Sequence, residues 1–438
     1  MQIVIAGAGE VGFNIAKDLA YAHDVYVIEN DEKKINDISK LNVEVIEGNA
    51  ANIDILRRAK IDEADIFLGV TGDDEVNLLA GLAAKKLGAK KTIIRVGNPE
   101  YVDKPIVMDH PIGYDLLICP QLALASEIVN LITIPGAVDF VTFSGGKIDM
   151  VEISITSRSG VAGKRISELH LPGNVIITAI YRNGELIVPK GETVLKEGDR
   201  LAIVGTMEDL SRIRGIFGEQ VARNVVIFGG GTVGGYIARL LDRSNIHIKL
   251  IDSCPSVCET LCSVLRRTKV IIGDATDLDL LVEEEIGKSD VVIATTDSDE
   301  KNLLVSLLAK SLGARKAIVK VDRGMYVKLF EKVGVDVALS PRRITYNEVM
   351  KHLHLMNVHT IAEIGKGEAA VLEIEVREKL SGKMIRELKM PKGAIIGAIL
   401  RGDDCLIPKG DTKIQAGDKL LVITTWGEID SVEKALKD

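Results

Sequence analysis

The 438-residue chain contains the same pattern twice. Shifted by about 220 residues, IVIAGAGEVGFNIAKDL falls on VVIFGGGTVGGYIARLL, VIEGNAANIDIL on VIIGDATDLDLL, ADIFLGVTGDDEVNLL on SDVVIATTDSDEKNLL, and KKLGAKKTIIRV on KSLGARKAIVKV. Further along, GKRISELHLP (163–172) pairs with GKMIRELKMP (382–391), and LIVPKGETVLKEGDRLAIV with LIPKGDTKIQAGDKLLVI. Whatever fold one half adopts, the other adopts too. The period is far longer than the roughly 20 to 50 residues of stacked solenoid units, so this is duplication of whole domains, and two like domains on one chain favour pseudo-symmetric assembly.

Each repeat has two parts. The first alternates short Val/Ile-rich strands, read at 2–6, 24–28, 43–46, 65–70 and 91–96, with amphipathic helices, the pattern of βαβ units and a parallel sheet. The second, about 80 residues, carries alternating segments such as MVEISI and LIVP with turns at RNGE and KEGD, which reads as a small α+β module. The expected fold class is therefore α/β: a tandem repeat of a Rossmann-like doubly wound parallel sheet domain plus a small α+β domain. Boundaries near 135, 220 and 353 give four domains, 1–134, 135–220, 221–352 and 353–438.

Composition removes several function classes. Lys+Arg (55) against Asp+Glu (63) leaves a net charge of -8 and no basic field, so no nucleic-acid partner is expected. Residues 1–220 hold 23 Lys+Arg against 32 Asp+Glu, a net -9, and the remainder 32 against 31, a net +1, so the halves are not equivalent. Five cysteines are too few and too unevenly placed for a disulfide framework, which reads as a reducing, cytosolic compartment. The N-terminus enters a strand at once, so no signal peptide is expected. The most apolar stretch, Leu116 to Val138, is broken by Pro120, Gln121, Glu127, Asn130 and Pro135 and falls short of a membrane span.

The chemistry concentrates at two glycine loops. In the first repeat QIVIA runs into Gly7-Ala8-Gly9-Glu10-Val11-Gly12 and then a helix, and the next strand, DVYVIE, ends in Glu29. The glycines serve a tight turn, close approach of phosphates to backbone, and close helix packing, while a carboxylate 22 residues after Gly7 is placed to accept ribose hydroxyls. The second repeat has Gly229-Gly230-Gly231-Thr232-Val233-Gly234 and Asp252, with loss of ligand in the duplicate as the alternative. An acid at this position favours NAD over NADP, yet does not separate NAD(H) from ATP or ADP, whose riboses carry the same hydroxyls. Glu10 sits where ligand phosphates belong and penalises a triphosphate more than a diphosphate bridge. Thr232 replaces it in the second loop, so the two sites can prefer different nucleotides.

Later strand ends complete the crevice. Asn49 and Asp274 close the third strands, Thr71, Asp73 and Thr296 the fourth, and Arg95 with its counterpart Lys320 the fifth, all on the binding edge of an open α/β sheet. Turn formation and helix capping are the competing account of the Asn, Asp and Thr residues, and a plain surface cation that of Arg95.

Other features point to structure. Cys254, Cys258 and Cys262 run along a helix instead of converging on a metal, and are read as small core residues. No metal site is expected. His352, His354 and His359 are assigned a linker or surface role. Leu124, Ile128, Leu131 and Ile132 form a helical apolar stripe that is either core or a contact across domains or subunits, whereas the counterpart beginning at Pro341 is far more polar. No G-x-S-x-G, HExxH or P-loop motif occurs, so the chain offers a ligand site without a catalytic residue.

The order of strand, GAGEVG, acid, GNA, VTGDDEVN and RV, followed by GKRISEL and PKGETVLKEGD, resembles the regulator-of-potassium-conductance (RCK) family. Two such units in one chain resemble the TrkA-type peripheral subunits of Trk potassium uptake systems, over nearly the whole length. The resemblance implies a ring-forming homo-oligomer on the cytosolic face of a potassium-transporting membrane subunit, peripheral to the membrane through that partner. It also implies binding of NAD(H) or adenine nucleotides through Gly7 to Gly12, Glu29, Thr71 and Arg95, with a conformational response that gates potassium flux and no bond broken. Two other classes compete. A nicotinamide-dependent dehydrogenase with a duplicated cofactor domain needs a proton-transfer residue that 135–220 does not advertise. A redox-sensing transcription factor needs a basic helix-turn-helix segment.

Overall fold

The computed structural model describes residues 1–103, 114–134, 136–143, 148–157, 159–183, 185–213, 216–217, 222–352, 358–364, 369–391, 393–402 and 404–437. Positions 135, 220 and 353, His354, and Gly184 of the expected RNGE turn lie outside them. The chain packs as two units, Met1–Ser126 with Asn224–Leu353 and Glu127–Arg223 with His354–Asp438. Among the described residues, no helix is long and apolar enough to cross a membrane.

The first unit holds two six-stranded sheets. β1 (Gln2–Ala6), β2 (Asp24–Glu29), β3 (Glu44–Glu47), β4 (Ile66–Gly69), β5 (Lys91–Arg95) and β6 (Leu116–Ile118) pair in parallel in the order 3-2-1-4-5-6. In the second unit, β7 (Ala137–Phe143), β8 (Ile148–Ser154), β9 (Val175–Arg182), β10 (Glu185–Ile187) and β11 (Arg200–Gly205) form an antiparallel sheet in the order 10-9-11-8-7. The duplicate follows: β12 (Asn224–Phe228), β13 (His247–Asp252), β14 (Lys269–Ile272), β15 (Val291–Ala294), β16 (Lys316–Lys320) and β17 (Val337–Leu339) reproduce the parallel order. Finally β18 (Val358–Ile364), β19 (Ala369–Glu375), β20 (Ala394–Arg401), β21 (Asp404–Leu406) and β22 (Lys419–Thr425) reproduce the antiparallel one.

The parallel strands are apolar on both faces because helices cover both; Ile3, Val4, Ile5 and Ala6 are fully buried. The sheets carry one strand more than the five read from sequence. β6 has three residues and runs into Cys119-Pro120, so its apolar run merges with that of the following helix.

Seven helices position the features discussed below: α1 (Glu10–Leu19), α2 (Asp74–Leu87), α3 (Pro120–Thr133), α4 (Thr232–Leu241), α5 (Pro255–Val264), α6 (Asp299–Ser311) and α7 (Pro341–His352). The stripe Leu124, Ile128, Leu131 and Ile132 on α3 is buried. Helix α7, from the second repeat, lies against α1 of the first. Arg342 pairs with Glu10, the Tyr346 hydroxyl donates to Asp18 Oδ2 at 2.5 Å, and Lys91 Nζ donates to the His352 carbonyl at 2.6 Å. The polar character of the segment after Pro341 is thus spent on bonds to the other repeat. His359, read as linker, belongs to β18.

In the second unit the two antiparallel sheets share one apolar cluster. Phe143, Met150, Tyr181 and Val204 from one sheet join Val371, Leu400, Leu421 and Ile423 from the other. Each also carries the same buried ion pair. Arg182 Nε and Nη2 donate to Asp199 at 2.7 and 2.7 Å, and Arg401 Nε and Nη2 to Asp418 at 2.9 and 2.8 Å.

Candidate functional site

At the first loop each glycine has a separate steric reason. Gly7 has φ +104°, and a Cβ there would stand 2.9 Å from the Thr71 backbone. A Cβ on Gly12 would stand 1.9 Å from the Gly7 carbonyl oxygen, so α1 can approach the turn only through a glycine. Around Gly9 nothing lies within 4 Å of that position: the space is open. Gly229, Gly234 and Gly231 repeat these three conditions at φ +95°, 1.9 Å from the Gly229 carbonyl oxygen, and open space. Gly9 and Gly231 cap α1 and α4, whose first amides have no partner within the helix. Ala8, Val11 and Val233 bury their side chains, and a Cβ on Gly230 would stand 2.8 Å from Leu261, so no side chain at these positions reaches the open space.

Glu29 is 6% exposed, and its carboxylate is largely engaged by the protein. Oε2 accepts from the Ala8 amide at 2.6 Å, and Oε1 from the Asn30 and Asp31 amides at 2.8 and 3.0 Å. Asp252 is less occupied, accepting from Gly230 at 2.6 Å and Cys254 at 2.8 Å. The acids at the ends of β2 and β13 therefore hold the glycine loops in shape.

The Thr71 backbone stands close to Gly7, and Arg95 Nη1 donates to the Thr71 carbonyl at 3.0 Å. Burial lowers the Arg95 pKa; Asp74 opposes that shift, and nearby Arg342 reinforces it by like charge. Asn49 and Asp73 each make a local hydrogen bond. Asn49 Oδ1 accepts from the Ala51 amide at 2.8 Å, and Asp73 Oδ1 caps α2 at the Val76 amide at 2.8 Å. Asp274 likewise accepts from Thr276 and pairs with Lys301 at 3.0 Å; the Thr276 amide and hydroxyl, then Lys301, hold its carboxyl down at about 2. The alternative of turn and cap therefore describes these three contacts. Lys320 pairs with Asp322 at 3.2 Å.

Two buried amides that the sequence reading missed hold the crevice together. Asn77 Oδ1 accepts from the Thr71 amide and hydroxyl at 2.9 and 2.7 Å, while its Nδ2 donates to the Thr71 and Arg95 carbonyls at 3.1 and 3.0 Å. Asn302 makes the same four bonds to Thr296 and Lys320. One turn earlier, Asp74 accepts from Gly97 and Asn98, and Asp299 from Asp322 and Arg323. The signal was present: both pairs, Asp74/Asn77 and Asp299/Asn302, recur in register in the repeat. Replacing Asn77 by alanine orphans buried partners on two strand ends, so a loss of about 2 kcal/mol in stability is expected from urea unfolding.

Of the three cysteines, only Cys258 is buried; Cys254 and Cys262 are exposed, which corrects the core reading. Four residues advance about 40° beyond a full helical turn, so three thiols on that spacing cannot all face the sheet. A groove of about 420 Å³ lies beside the second loop, lined by Gly231, Thr232, Tyr236, Arg239 and Thr260, with Asn98 to Glu100 of the first repeat on its rim. It excludes Asp252 and Thr296, so it adjoins the crevice and is not identical with it.

Fold and loops together define a class: a tandem Rossmann-like chain in which each parallel sheet carries a glycine loop at its switch point and each is followed by an antiparallel module. Sequence models agree, the TrkA-N domain matching residues 3–120 and 225–341 and the TrkA-C domain 150–218 and 371–437. The chain is 56% identical to the Trk system potassium uptake protein TrkA homolog of Archaeoglobus fulgidus, over all of both chains. It is 32% identical to the Trk system potassium uptake protein TrkA of Vibrio alginolyticus, over 96% of this chain and 95% of that one. The chain belongs to the TrkA family. Among solved structures, the GsuK RCK domain superposes with a TM-score of 0.63 at 22% identity, covering 100% of this chain and 95% of that one. The GsuK channel bound to NAD gives 0.64 at 22%, covering 100% and 79%. At that identity the likeness establishes a shared RCK fold.

Proposed function

We propose that this chain is the nucleotide-binding regulatory subunit of a potassium uptake system. It binds NAD(H), and ATP or ADP, at its glycine loops and gates a potassium-transporting membrane partner from the cytosolic face. It acts by binding and not by turnover, as a homo-oligomeric ring of subunits divided into the four domains 1–134, 135–220, 221–352 and 353–438. The observation that carries the reading is the pair of open spaces at Gly9 and Gly231, each at a helix N-terminus, with an acid-to-amide bond holding the neighbouring loop residue. Family membership and the names of its relatives supply the transport system. A nucleotide with different affinity for two arrangements of the ring shifts the population between them, which is all that gating requires.

Gly9→Asp is the direct test. Aspartate is a favoured capping residue and finds empty space at this position, so the fold is retained while a carboxylate occupies the phosphate position. Calorimetric titration with NADH and with ATP is expected to show binding to the wild type and its loss at the first loop in Gly9→Asp; unchanged affinity sinks the site. Glu29→Ala is the poorer probe, because it removes the acceptor of three backbone amides.

A further inference from the structure

Glu10 stands in the first glycine loop, where a ligand phosphate would be repelled, yet it is not surplus charge. Its partner Arg342 comes from α7 of the second repeat. The pairs Glu10–Arg342 and Asp18–Tyr346 run α1 and α7 in the same sense, so their N-terminal ends, both partially positive, meet at this point. Arg342 lies close enough to Arg95 to act on its ionisation. Ser340, which precedes α7, is 2% exposed and its hydroxyl has no hydrogen-bond partner. That hydroxyl lies 4.0 Å from the point where a Cβ on Gly324 would stand, and Glu10 Oε1 lies 2.6 Å from the same point. Gly324 thus leaves the room that the Glu10 carboxylate fills.

Two helix N-termini, the Arg342 guanidinium and a buried unpartnered hydroxyl make a place for an anion, and the anion now in it belongs to the chain. We propose that Glu10 is an internal substitute for a phosphate, and that the terminal phosphate of an adenine mononucleotide seated on Gly7 to Gly12 takes Arg342 from it. The inference rests on the nucleotide-binding reading of that loop. The Glu10 side chain is 36% exposed and can turn into solvent when displaced. A dinucleotide, whose pyrophosphate rests on the loop amides and whose nicotinamide half brings no terminal phosphate, leaves the pair intact. Arg342 is therefore a specificity residue of the first site supplied by the second repeat. The reciprocal positions, Thr232 for Glu10, Gln121 for Arg342 and Pro99 for Gly324, carry no charge, so the device exists at one loop of the two.

The test uses the full chain in a Gly231→Asp background, so that only the first loop reports, titrated with ATP and with NADH. Arg342→Gln is expected to weaken ATP about tenfold and to leave NADH within about twofold. Glu10→Gln is expected to strengthen ATP several-fold, because it frees Arg342. Where Arg342→Gln lowers the unfolding midpoint, Arg342→Lys replaces it: it keeps the charge, and its ATP loss is expected to be smaller. If the Arg342 variants shift ATP and NADH equally, or neither, while Gly9→Asp still abolishes binding, the inference is overturned and the nucleotide site stands. If the background protein binds neither nucleotide, or Gly9→Asp has no effect, the nucleotide reading fails and the inference falls with it.

Discussion

Gly12→Ala is expected to cost about 3 kcal/mol or more of stability, seen as a lower urea midpoint with a lower yield of folded protein. The added methyl would stand 1.9 Å from the Gly7 carbonyl oxygen, a separation no relaxed structure tolerates. The carbonyl cannot yield freely, because Gly7 already sits at φ +104° with its amide donating to the Ile28 carbonyl and no room for even a Cβ before the Thr71 backbone. Helix α1 must therefore slide away from the sheet, uncovering Ile15, Ala16 and Leu19, all buried. Gly234→Ala meets the same 1.9 Å obstacle at Gly229, and the same loss is expected there. Gly9→Asp, three residues before Gly12, is the matched control: its midpoint should remain within about 0.5 kcal/mol of wild type or rise. Equal midpoints for Gly12→Ala and Gly9→Asp would show that the loop is not sterically fixed.

Asp418→Asn in the last module is expected to cost about 3 to 5 kcal/mol, since it leaves the Arg401 guanidinium without its carboxylate in a half-buried position. Asp418 is 1% exposed, accepts two bonds from Arg401, and takes the Gln415 amide at 2.8 Å. Burial pushes its pKa up, but the Arg401 bond, the Gln415 amide and the Arg401 charge outweigh that and hold it below the ordinary carboxylate value. A carboxyl depressed in the folded state stabilises the fold above the unfolded pKa of about 3.9, and that contribution is lost as pH falls through the lower folded value. Wild type should accordingly lose stability on acidification below about pH 4, and Asp418→Asn should lose less over the same interval. Urea midpoints measured from pH 7 down to pH 3 decide this; parallel curves for the two proteins would remove Asp418 from the acid response.

What the sequence announced were features enforced over a few residues. A positive φ at Gly7 and the contact between Gly12 and the Gly7 carbonyl each demand glycine at a fixed offset. The acid at the end of β2 stands at a fixed spacing too, although the sequence reads it as a ribose acceptor and does not foresee its bond to the Ala8 amide. The duplication then doubled every such signal, and the family resemblance followed from their order. What escaped notice depended on distant partners or on very short segments. β6 and β17 have three residues each, too few for a period to emerge. Asn77 and Asn302 look like surface polar residues on helices until the strand ends they bind are in place. Asn49, Asp73 and Asp274 have two readings at equal spacing, and their bonds to Ala51, Val76 and Thr276 become visible only once the turns and the cap are in place. Glu10 and Arg342 are 332 positions apart, with nothing local in either neighbourhood to connect them.

That last pair bears on why two copies reside in one polypeptide. When identical chains assemble about a two-fold axis, every bond across the axis is made twice or not at all, because a mutation enters both subunits together. Glu10 with Arg342 has no twin, since Thr232 and Gln121 stand at the mirrored positions. A single-copy bond of this kind needs two copies that can differ, and in this chain the halves do differ, Thr232 and Gln121 standing for Glu10 and Arg342. Fusion converts a symmetric pair into a sender and a receiver within one protein, and splitting the reading frame between the halves would allow mispairing that the present linkage forbids.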